Sequence, residues 1–321
     1  MDGDARIGLM SALPPRIAVN LAVPDRAVLL AGNGALPGVW SFAADAAGPH
    51  VVIVAVMHGN EIAGAVALER LLARRVRPAR GRLSLVFANL DAFARFDPDD
   101  PTATRFLDED MNRVWDPAVL DGPRRSAELG RARALRPLFD TADLLVDLHS
   151  MLWRSDPLIL AGTAERGAAL GLAIGTPPLV VRDTGHACGR RLIDYGRFSD
   201  PAERAAAVLV EAGDHWEPAT VARMERSIAR LLALAGMAPE HEALPPARLA
   251  EVTRTVTAAT HAFGFVREFR GGEVIPERNT VIALDGEIEI RTPHDDCLLV
   301  MPTPMAPRGH TAVRLARFVA S

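Results

Sequence analysis

Between residues 50 and 236 the chain alternates short apolar runs with longer stretches in which apolar residues recur at helical spacing. VVIVAV (51–56), LSLVFAN (83–89), ADLLVDLH (142–149), PPLVV (177–181) and AAAVLVEAG (205–213) read as strands. IAGAVALERLLARR (62–75), PRRSAELGRARALRPLF (123–139), AERGAALGLAIG (164–175) and EPATVARMERSIARLLALAG (217–236) read as helices. The first of these helices carries its arginines at its C-terminal end, where the helix dipole favours cations. The second opens on a proline, which suits a first turn, and the last is closed by Gly236. The strands are apolar throughout rather than alternating, the pattern of parallel strands covered on both faces. The expected fold class is α/β, a mainly parallel mixed sheet with helices on both faces.

After Gly236 the character changes. APEHEALPPAR (238–248) is proline-rich and linker-like, and beyond it FGFVREF, TVIALDG, EIEIRTP and CLLVMP are strand-sized runs between turn signals. The expected organisation is a large α/β domain over 1–238 and a small, mostly β C-terminal domain over 239–321. Near the start of the chain, RIAVNLAVPDRAVLLAG and GVWSFAAD read as edge strands of the large domain.

Composition narrows the classes. The 321 residues are 49% apolar and 24% charged, an ordinary globular balance. A net charge of −4 gives no electrostatic case for nucleic acid or for an anionic membrane as partner. All 36 basic residues are arginine, which reads as a high-GC genome bias. Two cysteines, Cys188 and Cys297, argue against a disulfide scaffold. MDGDARIGLMSALPP lacks the basic stretch and long apolar core of a signal peptide. No apolar run approaches the roughly 18 residues that span a bilayer. The expected location is the cytoplasm; the sequence leaves a homo-oligomer open.

Ligands of open α/β sheets bind beyond the carboxyl ends of the strands, so the polar residues that terminate the apolar runs carry the candidate chemistry. VVIVAV runs into His58 and, three residues later, Glu61, a spacing that brings both side chains to one side of a first helical turn. They fit a pair of zinc ligands, or a satisfied His beside a Glu that the helix dipole favours. His149 ends LLVDLH with Asp147 on the same face of the strand, and a carboxylate beside a metal-bound imidazole commonly orients it. The alternative is a solvated His near an Asp. Together, His58, Glu61 and His149 form a three-ligand set with an open fourth position. Glu211 ends the apolar VLVEAGDHW run, where a partly desolvated carboxylate suits a general base. The competing reading, a capping region for the following helix, accounts for Asp214 but not for Glu211. RFLDEDMNRVW (105–115) gathers Arg105, Asp110, Asn112 and Arg113. Their donors can hold a carboxylate or an oxyanion, or the segment is a charged surface loop. No phosphate-binding glycine motif sits between a strand and a helix.

HGNE, the strand end after LSLVFAN, RFLDEDMNR, DLHS and EAG, in this order over about 50–215, resemble the succinylglutamate desuccinylase/aspartoacylase family of the zinc carboxypeptidase clan. The resemblance implies a zinc-carboxypeptidase-like fold and one Zn2+ per chain held by His58, Glu61 and His149. It implies that Glu211 activates the water and protonates the leaving amine, and that Arg105 polarises the scissile carbonyl. Asn112 and Arg113 would clamp a substrate carboxylate, with Asp110 and Asp147 orienting the ligands. The implied substrate is an N-acyl amino acid or a similar carboxylate-bearing amide. Alternatives are a carboxypeptidase or amidohydrolase acting on a peptide-like substrate, and a non-catalytic zinc-binding protein. The chain departs from the family pattern in its aromatic hydroxyls: Tyr195 is the sole tyrosine, and with Arg197 it is expected near the substrate. DTGHACGRR (183–191) has no counterpart; its His186 and Cys188 fit a second metal site or, more simply, a glycine-bracketed loop. His215 is placed either at the pocket or beside it.

Overall fold

The structure is a computed structural model that describes residues 18–186, 188–239 and 243–319. The chain divides into two compact units. Of the described residues, the larger unit takes 18–152 and 157–249, and the smaller takes those from Ala250 onward together with Trp153–Asp156.

The larger unit runs α1 (Arg26–Leu30), β1 (Val39–Ala43), β2 (His50–Ala55), α2 (Ile62–Ala73), β3 (Arg82–Phe87), α3 (Leu90–Phe93), α4 (Pro117–Leu120), α5 (Ala127–Phe139), β4 (Leu144–Met151), β5 (Leu158–Leu160), α6 (Glu165–Ile174), β6 (Leu179–Arg182), β7 (Ala206–Asp214) and α7 (Pro218–Leu234). Its strands lie in the order β1-β3-β2-β4-β7-β5-β6. β2 pairs in parallel with β3 and β4, β4 with β7, and β5 with β6, whereas β1 is antiparallel to β3 and β5 to β7. The sheet is therefore mixed and mainly parallel. β2 is buried along its whole length and β7 through Gly213, which is why these runs are apolar without alternation. α2 and α7 pack against each other, and α6 against α7.

Three local features differ from the sequence expectation. Residues 26–30, within a run read as an edge strand, form α1, because the Asp25 side chain accepts from Ala27 N at 2.8 Å and caps a turn. α5 begins at Ala127 rather than at Pro123, since the Ser126 hydroxyl accepts from Leu129 N at 2.9 Å. The antiparallel β5 has only three residues, too few to carry a period. The opening residues of the same stretch, Arg16 and Ile17, lie outside the described residues.

The smaller unit holds β8 (Arg248–Thr257, from Ala250 onward), β9 (Phe263–Phe265), β10 (Val274–Ile275), β11 (Val281–Asp285), β12 (Ile288–Arg291), β13 (Cys297–Val300) and β14 (Thr311–Phe318). They form two antiparallel runs, β8-β14-β13-β10 and β12-β11-β9. Val256, Phe265, Ile282, Cys297, Leu299 and Val313 from both runs meet in one core. Asp156 N donates to Gly271 O at 2.8 Å, and Gly271 N to Arg154 O at 3.1 Å, which ties 153–156 into this unit. No helix among the described residues is long and apolar enough to cross a membrane.

Candidate active site

β2, β4 and β7 run in parallel, so they deliver their last residues to one edge of the sheet. Past β2 the chain bends at once: Val56 adopts φ 58°, a left-handed conformation that a β-branched residue takes only under constraint. Two residues on stands His58. Gly59 follows, where a Cβ would come within 2.5 Å of Ala92 C and of Thr104 O, so only glycine fits. Glu61 occupies the position just before α2, with its N–H donating to His58 O at 3.1 Å.

The side chains converge. His58 Nδ1 lies 2.7 Å from Glu61 Oε1, and His149 Nδ1 lies 3.0 Å from Glu61 Oε2. Among the described residues, this is the one group of three His, Cys, Asp or Glu side chains whose candidate donor atoms all come within 4.8 Å of one another. All three residues are buried. The far nitrogen of each imidazole faces a second carboxylate. His58 Nε2 is 3.0 Å from Asp110 Oδ1, and His149 Nε2 is 2.9 Å from Asp147 Oδ2, in an ion pair not aligned as a hydrogen bond. Two imidazoles and a carboxylate, each imidazole backed by a further carboxylate, are a donor set that suits a divalent metal such as zinc. Backbone geometry supports Glu61 from behind, where Ser150 N donates to Oε2 at 3.1 Å.

The local field favours a cation. Burial alone would raise the Glu61 carboxyl, but the imidazoles of His58 and His149 outweigh it and hold it well below the carboxylate range. Asp110 is likewise pushed up by burial and brought well below its ordinary value by His58, Arg113 and Arg105. At His149 the carboxylates of Asp147 and Glu61 overcome the effect of burial and raise its affinity for a proton. A metal ion would compete for the same nitrogen.

Glu211 lies directly across from His149 in the β4–β7 register. Its Oε2 is buried without a hydrogen-bond partner. Burial, chiefly, and the charges of Glu61 and Asp147 push its carboxyl up to about 8, against the pull of His149 and Arg105. A carboxylate so poised near neutrality is what a general base or acid requires.

Arg105 reaches the cluster from the loop. Its Nη1 donates to Glu61 Oε1 at 3.1 Å, while Nη2 is 2.9 Å from His58 Nε2 and 3.4 Å from Asp110 Oδ2. Its side chain remains 38% exposed, open to a ligand. Asn112 comes to the same place but differs from the clamp expected of it: its Oδ1 accepts from Leu192 N at 2.9 Å, and its Nδ2 stands 3.4 Å from His149 Nε2. Arg113 donates to Asn112 O at 2.7 Å and lies 3.9 Å from Asp110 Oδ2.

Tyr195 and Arg197 are not brought to the cluster, a correction to their expected place near the substrate. The Tyr195 hydroxyl donates to Asp140 Oδ1 at 2.6 Å and accepts from Arg136 Nε at 3.0 Å, and its ring packs against Trp115. Arg197 donates to Asp140 O at 3.1 Å and to Ala142 O at 3.2 Å. Asp140 and Ala142 precede β4, so both side chains sit at the amino edge of the sheet, opposite His149 and Glu211.

The sequence left the place of His215 open and did not single out Arg191. The His215 ring, buried and lowered to about 4 by desolvation, has Nδ1 2.8 Å from Ser150 Oγ, behind Glu61. Arg191, also buried, is held by Asp183 (2.7 Å) and Asp194 (2.7 Å). This ion cluster ties Asp183 to Arg191 and Asp194, and the neighbouring Arg190 O accepts from Trp115 N at 3.2 Å. Cys188 is exposed, and neither it nor His186 belongs to a group that could hold a metal among the described residues. Only the fold brings these partners together; no spacing signals them.

The sequence profile of the succinylglutamate desuccinylase/aspartoacylase catalytic domain matches residues 47–235, more than half of the chain. The chain belongs to the succinylglutamate desuccinylase/aspartoacylase family. Among curated proteins, none matches it by sequence. Solved structures share the family fold at low identity. The succinylglutamate desuccinylase of Vibrio parahaemolyticus is 18% identical, with a TM-score of 0.68 over 89% of this chain and 87% of that one. The Vibrio cholerae enzyme is also 18% identical, with a TM-score of 0.69 over 88% and 86%. The product-bound ectoine utilization protein EutE (DoeB) of Ruegeria pomeroyi is 20% identical, with a TM-score of 0.61 over 87% and 88%. In this family member, as in the sequence expectation, the large mixed sheet is accompanied by a smaller antiparallel region.

Proposed function

We propose that this family member is a zinc-dependent deacylase that hydrolyses the amide bond of an N-acyl amino acid or a related small amide bearing a carboxylate. The observation that carries the reading is the convergence of His58, Glu61 and His149 beside the buried Glu211, whose Oε2 has no hydrogen-bond partner. His58, Glu61 and His149 would hold one zinc ion per chain. Bound there, zinc would supply an activated water and a Lewis acid for the amide carbonyl. Glu211 takes the proton of the attacking water and delivers it to the departing amine. Arg105 donates to the carbonyl oxygen as negative charge develops on it, an interaction of the kind worth roughly 2.7–4 kcal/mol. Asp110 and Asp147 fix the orientation of the two imidazoles. Arg113 is the candidate partner for a substrate carboxylate, and Asn112 links the 110–113 segment to His149 and Leu192.

The test is a metal-analysed preparation assayed against N-acyl amino acids and short peptides. The expected result is about one zinc per chain, loss of hydrolysis with chelator, recovery with zinc, and turnover of acyl amino acids over peptides. Zinc at that stoichiometry with no hydrolysis across both panels would overturn the catalytic reading. Preference for peptides would overturn the substrate class.

A further inference from the structure

We infer that Glu128 is a positioning residue for the active site: its carboxylate moulds the 105–113 segment so that Arg105 and Asp110 meet the metal-ligand cluster. The inference rests on the proposed hydrolytic reading for its kinetic consequence, but its structural core stands apart from any substrate. Glu128 is fully buried in the first turn of α5. Its Oε1 accepts from Leu107 N at 2.7 Å and from Asn89 Nδ2 at 3.2 Å. Its Oε2 accepts from Asp108 N at 3.1 Å and Glu109 N at 3.3 Å. Three successive backbone N–H groups therefore close around one carboxylate, in the manner of an anion-binding nest. The helix N-terminus adds favourable potential for its charge.

The attachment is reciprocal. Ala127 N donates to Asp108 Oδ2 at 2.7 Å, and Ser126 Oγ donates to Glu109 Oε1 at 2.5 Å. On its other side, Asn89 follows β3 and donates its own N–H to Val56 O at 2.8 Å, next to the bend that leads to His58. Glu128 thus ties α5, the end of β3 and the middle of the segment into one unit. Two residues before that middle, Arg105 contacts Glu61, and its carbonyl accepts from Gly59 N at 2.9 Å. One residue after it, Asp110 contacts His58. A carboxylate can satisfy four donors, whereas a glutamine presents one oxygen and turns its NH2 against N–H groups. The geometry therefore calls for a glutamate carboxylate at this position, although Glu128 touches none of the proposed metal ligands.

The experiment compares the full-length protein with Glu128→Gln by hydrogen exchange and, on an N-acyl amino acid that the parent hydrolyses, by kinetics. Amides of 105–113 should exchange at least tenfold faster in the variant, while peptides from β4 and β7 keep their protection. kcat should fall on the order of 10²-fold, as for misplacement of a catalytic group by about 1 Å, with little change in KM. In an Arg105→Gln background the same change should cost clearly less than in the parent, because part of its effect acts through Arg105 and only the remainder through Asp110. A merely structural Glu128 would lower stability and leave the two kinetic effects additive. Unchanged exchange over 105–113, or full additivity, would overturn the inference. If Glu128→Gln does not fold, Glu128→Asp, which keeps the charge and draws it back by one methylene, is read by the same measures. Failure to find any hydrolysed substrate would count against the proposed function and leave the exchange result to decide on Glu128.

Discussion

The two edges of the large sheet carry polar clusters of opposite character. At the amino edge, every polar group named is satisfied by an ordinary partner. Tyr195 bridges Arg136 and Asp140, Arg197 holds two carbonyls, and the His50 ring lies between Thr141 Oγ1 at 3.0 Å and Ser84 Oγ at 2.9 Å. At the carboxyl edge, four carboxylates crowd around two imidazoles and two guanidiniums, and a Glu211 oxygen has no partner. A buried polar group without a partner is costly, so its survival at one edge marks a site that a ligand completes. A saturated network of the same residue types marks architecture. Residue type alone does not separate the two; satisfaction does.

The comparison breaks most sharply at Glu211. Glu211→Gln is expected to lower kcat on the order of 10²–10⁴-fold with zinc content unchanged. Its thermal midpoint should be equal or higher, because a buried carboxylate without a full set of partners becomes a neutral amide. Parent-like activity would remove Glu211 from the chemistry. Next in size is Gly59→Ala, whose Cβ would press on Thr104 O and displace the segment bearing Arg105. A kcat loss on the order of 10²-fold is expected, and a fully active variant would show that this approach is not needed.

The amino edge should respond in stability instead. Burial, with the nearby charge of Arg82, lowers His50 from 6.5 to about 4. The folded form therefore prefers the neutral ring, and the unfolded chain binds more protons between these values. His50 contributes its full stability above about pH 6.5 and loses it as the pH falls toward 4. At about 1.4 kcal/mol per pH unit this amounts to about 3 kcal/mol. The pH 7 to pH 4.5 drop in unfolding free energy should be smaller in His50→Gln by about that amount; equal drops in both proteins would refute it. The smallest effect is expected at Tyr195. Tyr195→Phe should cost about 1 kcal/mol in denaturant unfolding and leave kcat/KM within about twofold. A large loss of kcat/KM at constant stability would return Tyr195 to the substrate.

His58, His149 and Glu211 were legible as candidates because each is a polar residue that ends an apolar run, and a parallel sheet gathers such ends; Glu61 was legible from its spacing of three from His58 at the start of the next helix. The runs themselves gave the central strands, whose burial on both faces removes alternation. β8 and β14 carry charged residues at intervals, and the three-residue β5 is too short for a period; their pairing is set by neighbours distant in sequence. Tyr195 and Arg197 were placed by residue type within a family pattern. Their location depends on Asp140 and Ala142, which no local spacing connects to them. Nothing in the 123–139 run singles out Glu128, and its place in the first turn of α5 emerges only with the helix start at Ala127. Its three backbone donors come from a loop that folds back over it.

The sole tyrosine has a spectroscopic consequence. Burial, with its hydrogen bond to Asp140, raises its hydroxyl to about 12. With no second phenol in the chain, tyrosinate absorbance near 295 nm is a single-site signal from the amino edge. In an alkaline titration, ionisation well before pH 12 would announce that this edge has opened, and it would do so without any introduced label.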